Sequence, residues 1–396
     1  MFRKYTPEEE LLLCCARTRL ETPTAVRVCE LLEGGVDWNH LLVLARQHSV
    51  TQLLYWHLRE RVENVAPTTF TEELQRDFRH NVDRNLYLAG ELLRLLRLFE
   101  TEGIPIIALK GPVFAADTYK NIALRTFGDL DILLQKQDLA RATKVLASAG
   151  YMPRQSGSHV KDTLDLRAHA IERDFVHAGG KHLLIDVHWD LLGPQVGCKL
   201  DVRDVFRHAR LTQLFNSTLY TLSPEDLLLY SCIHATQHVV GVRLGWICDI
   251  AEIIRAFPSI NWQCLTEKAH HAHSRRMLDV GLLAAADLLD APLPGDALHR
   301  IKGDRSVEKL VTQVKWRLFE ETETPLRVHA VRQIAMKERR ADKLKIFLWF
   351  ALVPIASDYD AVRLPPQIIG LYFAIHPLRL ALQFALTGPQ LGEYRL

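Results

Sequence analysis

Residues 104–134 read IPIIALKGPVFAADTYKNIALRTFGDLDILL, and the rest of the chain is organised around them. A short apolar run, Ile104 to Leu109, ends at Lys110-Gly111. Helical character follows from Val113 to Tyr119, then Arg125, then Phe127-Gly128-Asp129-Leu130-Asp131-Ile132-Leu133-Leu134. Alternate residues of a strand share a face, so Asp129 and Asp131 fall on one side, their Cα atoms about 6.5–7 Å apart. Carboxylates at that separation can converge on divalent cations of the kind that carry phosphoryl-transfer chemistry. The plainer reading of Asp-x-Asp is a strand end with two solvated acids, and the surrounding residues have to decide.

Upstream, Phe70 to Glu102 is one long helical pattern with Leu86, Leu92, Leu95 and Phe99 on its apolar face, stopped by Gly103. Downstream, Asp138 to Ala149 is a second amphipathic helix ending at Gly150-Tyr151. Strand, helix, strand, helix makes an α/β unit. Arg173 to His177 reads as a strand, and Gly179-Gly180-Lys181 as a hairpin-like turn into His182-Leu183-Leu184-Ile185-Asp186-Val187-His188-Trp189. Period-2 alternation puts Leu184, Asp186 and His188 on one face of that run. An acid inside an apolar strand has a desolvation cost unless it is paired or metal-bound. Asp186 is therefore the candidate third carboxylate; the alternative is a buried Asp satisfied by backbone donors or by His188.

The flanks are helical. Residues 8–62 carry apolar residues at spacings of three and four, with Asp37 as a cap. Ser223-Pro224-Glu225-Asp226 is a helix start, followed by Leu227 to Val240 and Leu244 to Phe257. Trp262 to Asp290 continues as helix, 291–295 is a linker, and 297–345 is a charged helical region. His234 and His238 share a helix face at zinc-hydrolase spacing, but Ala235 stands where that chemistry needs glutamate. His270, His271 and His273 diverge around a helix and make a poor metal set.

With 396 residues, 48% hydrophobic and 24% charged, the chain has the composition of a globular protein of two or three domains. A formal charge of +2 predicts no strong nucleic-acid or membrane field. Seven scattered cysteines without C-x-x-C pairing read as reduced thiols in a cytoplasmic protein. The beginning of the sequence turns acidic within ten residues and lacks a signal peptide's apolar core. Ile346 to Pro354 is too short to span a bilayer, and Ile368 to Leu386 is interrupted by His376, Pro377, Arg379 and Gln383. That tail reads as core helix or subunit contact, hence a homo-oligomer, with peripheral membrane contact as the second reading.

Lys110-Gly111 followed by Arg125-x-Phe127-Gly128-Asp129-x-Asp131 resembles the nucleotidyltransferase superfamily typified by DNA polymerase beta and the kanamycin nucleotidyltransferases. More closely, it looks like a family of uncharacterised nucleotidyltransferases, over roughly the middle half of the chain. The resemblance implies an α/β (α+β) fold: a small mixed β-sheet core at 101–222, with large N- and C-terminal helical regions. It implies helices at 1–100, a bundle at 223–290 closing the nucleotide cleft, and an extension at 291–396. It further implies transfer of an NMP group from an NTP, ATP being the first choice, to a small-molecule or peptide/protein acceptor, with release of pyrophosphate.

In that scheme Asp129, Asp131 and Asp186 are catalytic and hold Mg²⁺, or Mn²⁺. Lys110, Gly111, Arg125 and Gly128 bind the nucleotide's phosphates, and His238, Trp246 and Asp249 contact base, ribose or acceptor. Pro112 departs from the family's Ser or Gly and removes one N–H from the phosphate grip. No nucleic-acid partner is expected. The alternative is a nucleotidyltransferase fold of weak or no activity that serves as a nucleotide-binding regulatory or scaffold protein.

Overall fold

The computed structural model describes residues 4–62, 65–154, 171–179, 183–237, 242–320 and 326–387. The 104–134 stretch folds as strand β1 (Ile106–Ala108), the helix Pro112–Asp117, a 3-10 turn at Ile122–Leu124, and strand β2 (Asp129–Leu134). Five further strands join them: β3 (Tyr151–Pro153), β4 (Glu172–His177), β5 (Leu184–His188), β6 (Arg210–Leu214) and β7 (Ser217–Thr221). The result is a seven-stranded mixed sheet in the order β3-β4-β5-β2-β1-β7-β6. β2 runs parallel to β5 and antiparallel to β1, while β4 is antiparallel to both β3 and β5.

Mixed α/β architecture is thus as expected, with sharper strand limits. β1 is shorter than the apolar run around it. Pro105 has no N–H to give to a ladder, and Gly111, at φ 63°, turns the chain away. The hairpin of β6 and β7 was not anticipated. Its two-residue connection is Phe215-Asn216, with Phe215 itself at φ 52°, in a position where glycine or asparagine would have given the turn away. The expected helix from Trp262 to Asp290 is two, Trp262–His271 and Arg275–Leu289, separated at His273, which adopts φ 54°.

Alternation splits the sheet's side chains between two cores. Ile106, Ala108, Leu130, Ile132, Ile185 and Val187 face the long helix Thr68–Thr101 and the helix Leu139–Ser148. Ile107 and Leu133 face the other way, into a core built from both helical flanks: Leu11, Leu41 and Leu54 early in the chain, Leu228, Ile250 and Leu282 late in it. The N-terminal helices therefore pack with those after residue 222, over the sheet face that carries the acids.

Local signals explain the helix starts. Asp37 accepts from the His40 amide at 3.0 Å, and Ser223 accepts from that of Asp226 at 3.1 Å. All seven cysteines are free thiols. Among the described residues no helix is long and apolar enough to cross a membrane. Of the expected 179–181 turn, Gly180 and Lys181 lie outside the described residues.

Candidate active site

Parallel pairing of β2 with β5 makes Asp131 and Asp186 Cα partners, and Asp129 the partner of Leu184. Paired residues on adjacent strands point to the same side, about 4.8 Å apart. Asp129, Asp131 and Asp186 therefore share one face. On the far side of β5, β4 adds Asp174 opposite Asp186 and Glu172 opposite His188. Five acids from three strands thus share a patch that also receives Lys110. All but Asp174 line a cleft of about 470 Å³, together with His188, Arg125 and, from the helices above, Tyr230, His234 and Trp246.

Such crowding shifts protonation. Burial, and then the charges of Asp131, Asp174 and Asp129, push the Asp186 carboxyl up to about 8. Burial and the Asp131 charge also raise Asp129. Burial works against ionised Asp131 too, but the bond and charge of His188 outweigh it and hold this carboxyl below its ordinary value. The His188 Nε2 lies 3.1 Å from Asp131 Oδ1 and its Nδ1 lies 3.0 Å from Glu172 Oε2. The first contact is an aligned hydrogen bond; the second is a close charge approach. Burial disfavours the imidazolium, but the two carboxylates prevail and lift it to about 9. His188 is thus a cation between two anions. Lys110, lowered mainly by burial, has its Nζ 4.5 Å from the centre of the Tyr230 ring.

A glycine brings two backbone segments together. A Cβ on Gly111 would come within 3.3 Å of the Asp129 carbonyl oxygen, so the turn after β1 can lie against the start of β2 only without a side chain. A Cβ on Gly128 would meet only the guanidinium of Arg84, the far end of an exposed side chain that can swing aside. Pro112 is the first residue of its helix, where an N–H has no intrahelical partner anyway.

Arg125 lines the cleft, and its Nε and Nη2 each donate to Asp249, to Oδ1 and Oδ2 at 2.9 Å. Asp249 also accepts from the Tyr119 hydroxyl at 2.7 Å. Both its oxygens are thereby committed inside the protein, where it anchors Arg125. Trp246 lies in the cleft wall with the His234 ring edge-on at 5.1 Å. His238 lies outside the described residues.

Sequence reasoning missed the residues that hold the Arg125 segment. Asn85 of the long helix donates to the carbonyls of Ile122 at 2.6 Å and Arg125 at 2.9 Å, and Asn81 donates to that of Ala123 at 3.0 Å. Two amides four residues apart, buried on the same side of a helix, were the available signal. Glu172 and Tyr230 carried none, because each reaches the site only through pairing or packing distant in sequence.

Among the described residues no three His, Cys, Asp or Glu side chains are gathered into a ready-made metal cage. The donor set nevertheless fits a hard divalent cation. It offers carboxylate oxygens on adjacent strands, and the buried Asp186 Oδ1 has no hydrogen-bond partner. Asp131, held by His188, would have to share an oxygen or turn.

Paired acids on adjacent parallel strands open into a cleft with a lysine and an arginine in its wall. A sequence model of the family described as uncharacterised nucleotidyltransferase matches residues 34–290, well over half of the chain, and the chain belongs to that family. The match covers the sheet, the acids and the helices over the cleft, and stops before residue 291. No curated protein and no solved structure matches the chain.

Proposed function

We propose that this protein transfers an NMP group from an NTP, ATP being the first choice, to a small-molecule or peptide/protein acceptor. The observation that carries the reading is the placement of Asp131 and Asp186 as Cα partners on parallel strands, with Asp129 on the same face. Mg²⁺ held by Asp129, Asp131 and Asp186 would supply charge neutralisation for the triphosphate and for the oxygens entering and leaving the α-phosphorus. Lys110 meets phosphate oxygens as a point charge, and Arg125, fixed by Asp249, presents its guanidinium edge from the cleft wall. The bond from the acceptor oxygen or nitrogen to the α-phosphorus forms as the bond to the bridging oxygen breaks, and pyrophosphate leaves. With a cation in place of its proton, Asp186 would also help to deprotonate or orient the acceptor.

A second reading is a nucleotide-binding regulator or scaffold without turnover. Pro112 motivates it, as does the commitment of two Arg125 nitrogens to Asp249. One experiment separates the two: incubation of the full chain with each α-labelled NTP and Mg²⁺ or Mn²⁺, beside Asp129→Asn. Label that Asp129→Asn fails to move, found on the protein or on a co-purified molecule, supports transfer. Saturable nucleotide binding with no pyrophosphate released would support the regulator.

A further inference from the structure

We propose that the C-terminal helices, beyond the residues matched by the family, form a docking surface for an anionic phospholipid bilayer. Among the described residues, ten of the twenty-one large hydrophobic side chains left exposed fall between Leu344 and Leu382. That is a concentration far beyond scattered surface leucines.

They are ordered by helix face. In the helix Arg340–Leu352, Asp342 and Ile346 point inward, Ile346 against Gly197, while Leu344, Leu348 and Leu352 recur every four residues on the outside. In the helix Tyr372–Thr387, Tyr372 and His376 point inward, while Leu378 and Leu382, one turn apart on the opposite side, are 64% and 61% exposed. The two helices are fastened to each other. His376 bonds through Nδ1 to Asp358 at 2.7 Å and through Nε2 to the Phe350 carbonyl at 3.0 Å. The apolar faces are thus held on a fixed support.

Charge selects the occupant. Arg339, Arg340, Lys345 and Arg363 are exposed around these faces, against exposed Glu338 and Asp360. The remaining acids, Asp342 and Asp358, are buried and paired, Asp342 with His273 and at 3.8 Å with Lys345, Asp358 with Arg379 and His376. Apolar and aromatic side chains beside long basic ones are the composition of helices that lie in a bilayer interface, where Lys and Arg stems extend toward the headgroups. Among the described residues no helix is long and apolar enough to cross a hydrocarbon core of about 30 Å, so the contact proposed is with the surface.

The test is flotation of the full chain with vesicles of phosphatidylcholine containing about 30 mol % phosphatidylserine, beside pure phosphatidylcholine. We expect binding to the anionic vesicles, weaker by about tenfold or more on the neutral ones and weakened by salt. Leu378→Glu with Leu382→Glu removes it at unchanged melting temperature, and Arg340→Glu with Lys345→Glu abolishes the preference for anionic lipid. Absence of flotation overturns the proposal. If in addition light scattering shows a dimer that the leucine pair of substitutions dissociates, the face belongs to a second copy. Binding that neither pair of substitutions alters also overturns it.

Discussion

Arg125 and Asp249, 124 residues apart, meet fork to fork through two bonds of 2.9 Å. The Phe114 ring lies 4.6 Å from the guanidinium, and Tyr119 donates to the same carboxylate. The pair ties the segment entering the acidic strand to the helix Leu244–Ala256. Both side chains are largely buried, so removing one partner strands the other as an uncompensated charge. Asp249→Ala should therefore lose about 3–5 kcal/mol in urea unfolding. Arg125→Lys should recover only part of what Arg125→Ala loses, since an ammonium cannot make two parallel bonds. A loss for Asp249→Ala below about 1 kcal/mol would show that the pair is solvated and gives little rigidity.

Transfer activity should respond to the acids differently from stability. Asp129→Asn, Asp131→Asn and Asp186→Asn each keep the side-chain volume and remove a charge from a crowded patch. Each should lower kcat about a hundredfold or more, by the usual size of lost electrostatic stabilisation. Asp186→Asn should do so without lowering the melting temperature measured in the absence of divalent ions, because ionised Asp186 is disfavoured by burial and by its neighbours. Asp129→Asn turnover within a few-fold of the unsubstituted protein would end the transfer mechanism.

The acids were legible because a strand's period of two is a local property. Asp-x-Asp put Asp129 and Asp131 on one face, and alternation in 182–189 put Asp186 and His188 on one face of another strand. Their meeting depends on the parallel register of β2 with β5, which no local pattern encodes. The bond of Asp249 to Arg125 was not legible for the same reason: an acid on a helix beyond the acid-bearing strands looks alike whether it faces a ligand or an arginine. Asn81 and Asn85 were passed over because an amide within an amphipathic helix ordinarily reads as a solvated position, whereas these two satisfy the carbonyls of a turn. The β6–β7 hairpin escaped because its turn is built on phenylalanine.

Gly111→Ala should damage both the fold and the site. The position has φ 63° and ψ −131°, open to glycine and strained for any other residue, and the added methyl would press on the Asp129 carbonyl oxygen. Strain of this kind costs about 1–3 kcal/mol. The movement falls on the residue that begins the acidic strand, so kcat should drop by more than KM rises. An alanine variant with unchanged melting temperature and kcat would mean that the turn relaxes without moving Asp129.

Protonation of the patch gives a stability profile with a definite sign. Asp186 titrates at about 8 in the folded chain against 3.8 for a free side chain, so across that window the folded state holds a proton that the unfolded state has released. His188 does the same between 6.5 and about 9. Where the folded state binds more protons, stability falls as pH rises. Asp131, shifted downward, contributes stability fully present above its unfolded value, and therefore does not reverse the trend in this range. Below about pH 6.5 the buried His48, lowered to about 4, and His57 oppose this slope, because they are neutral in the folded chain and protonated in the unfolded one. Melting temperature without divalent ions should therefore fall from about pH 6.5 to pH 9, and Asp186→Asn should make the fall between pH 6.5 and pH 8 shallower. Added Mg²⁺ should raise the melting temperature more at pH 8 than at pH 5, because it binds the carboxylate and competes with the proton. In Asp186→Asn that difference between the two pH values should shrink. Stabilisation by Mg²⁺ that is equal in both proteins at pH 8 would place the ion elsewhere than at these strands.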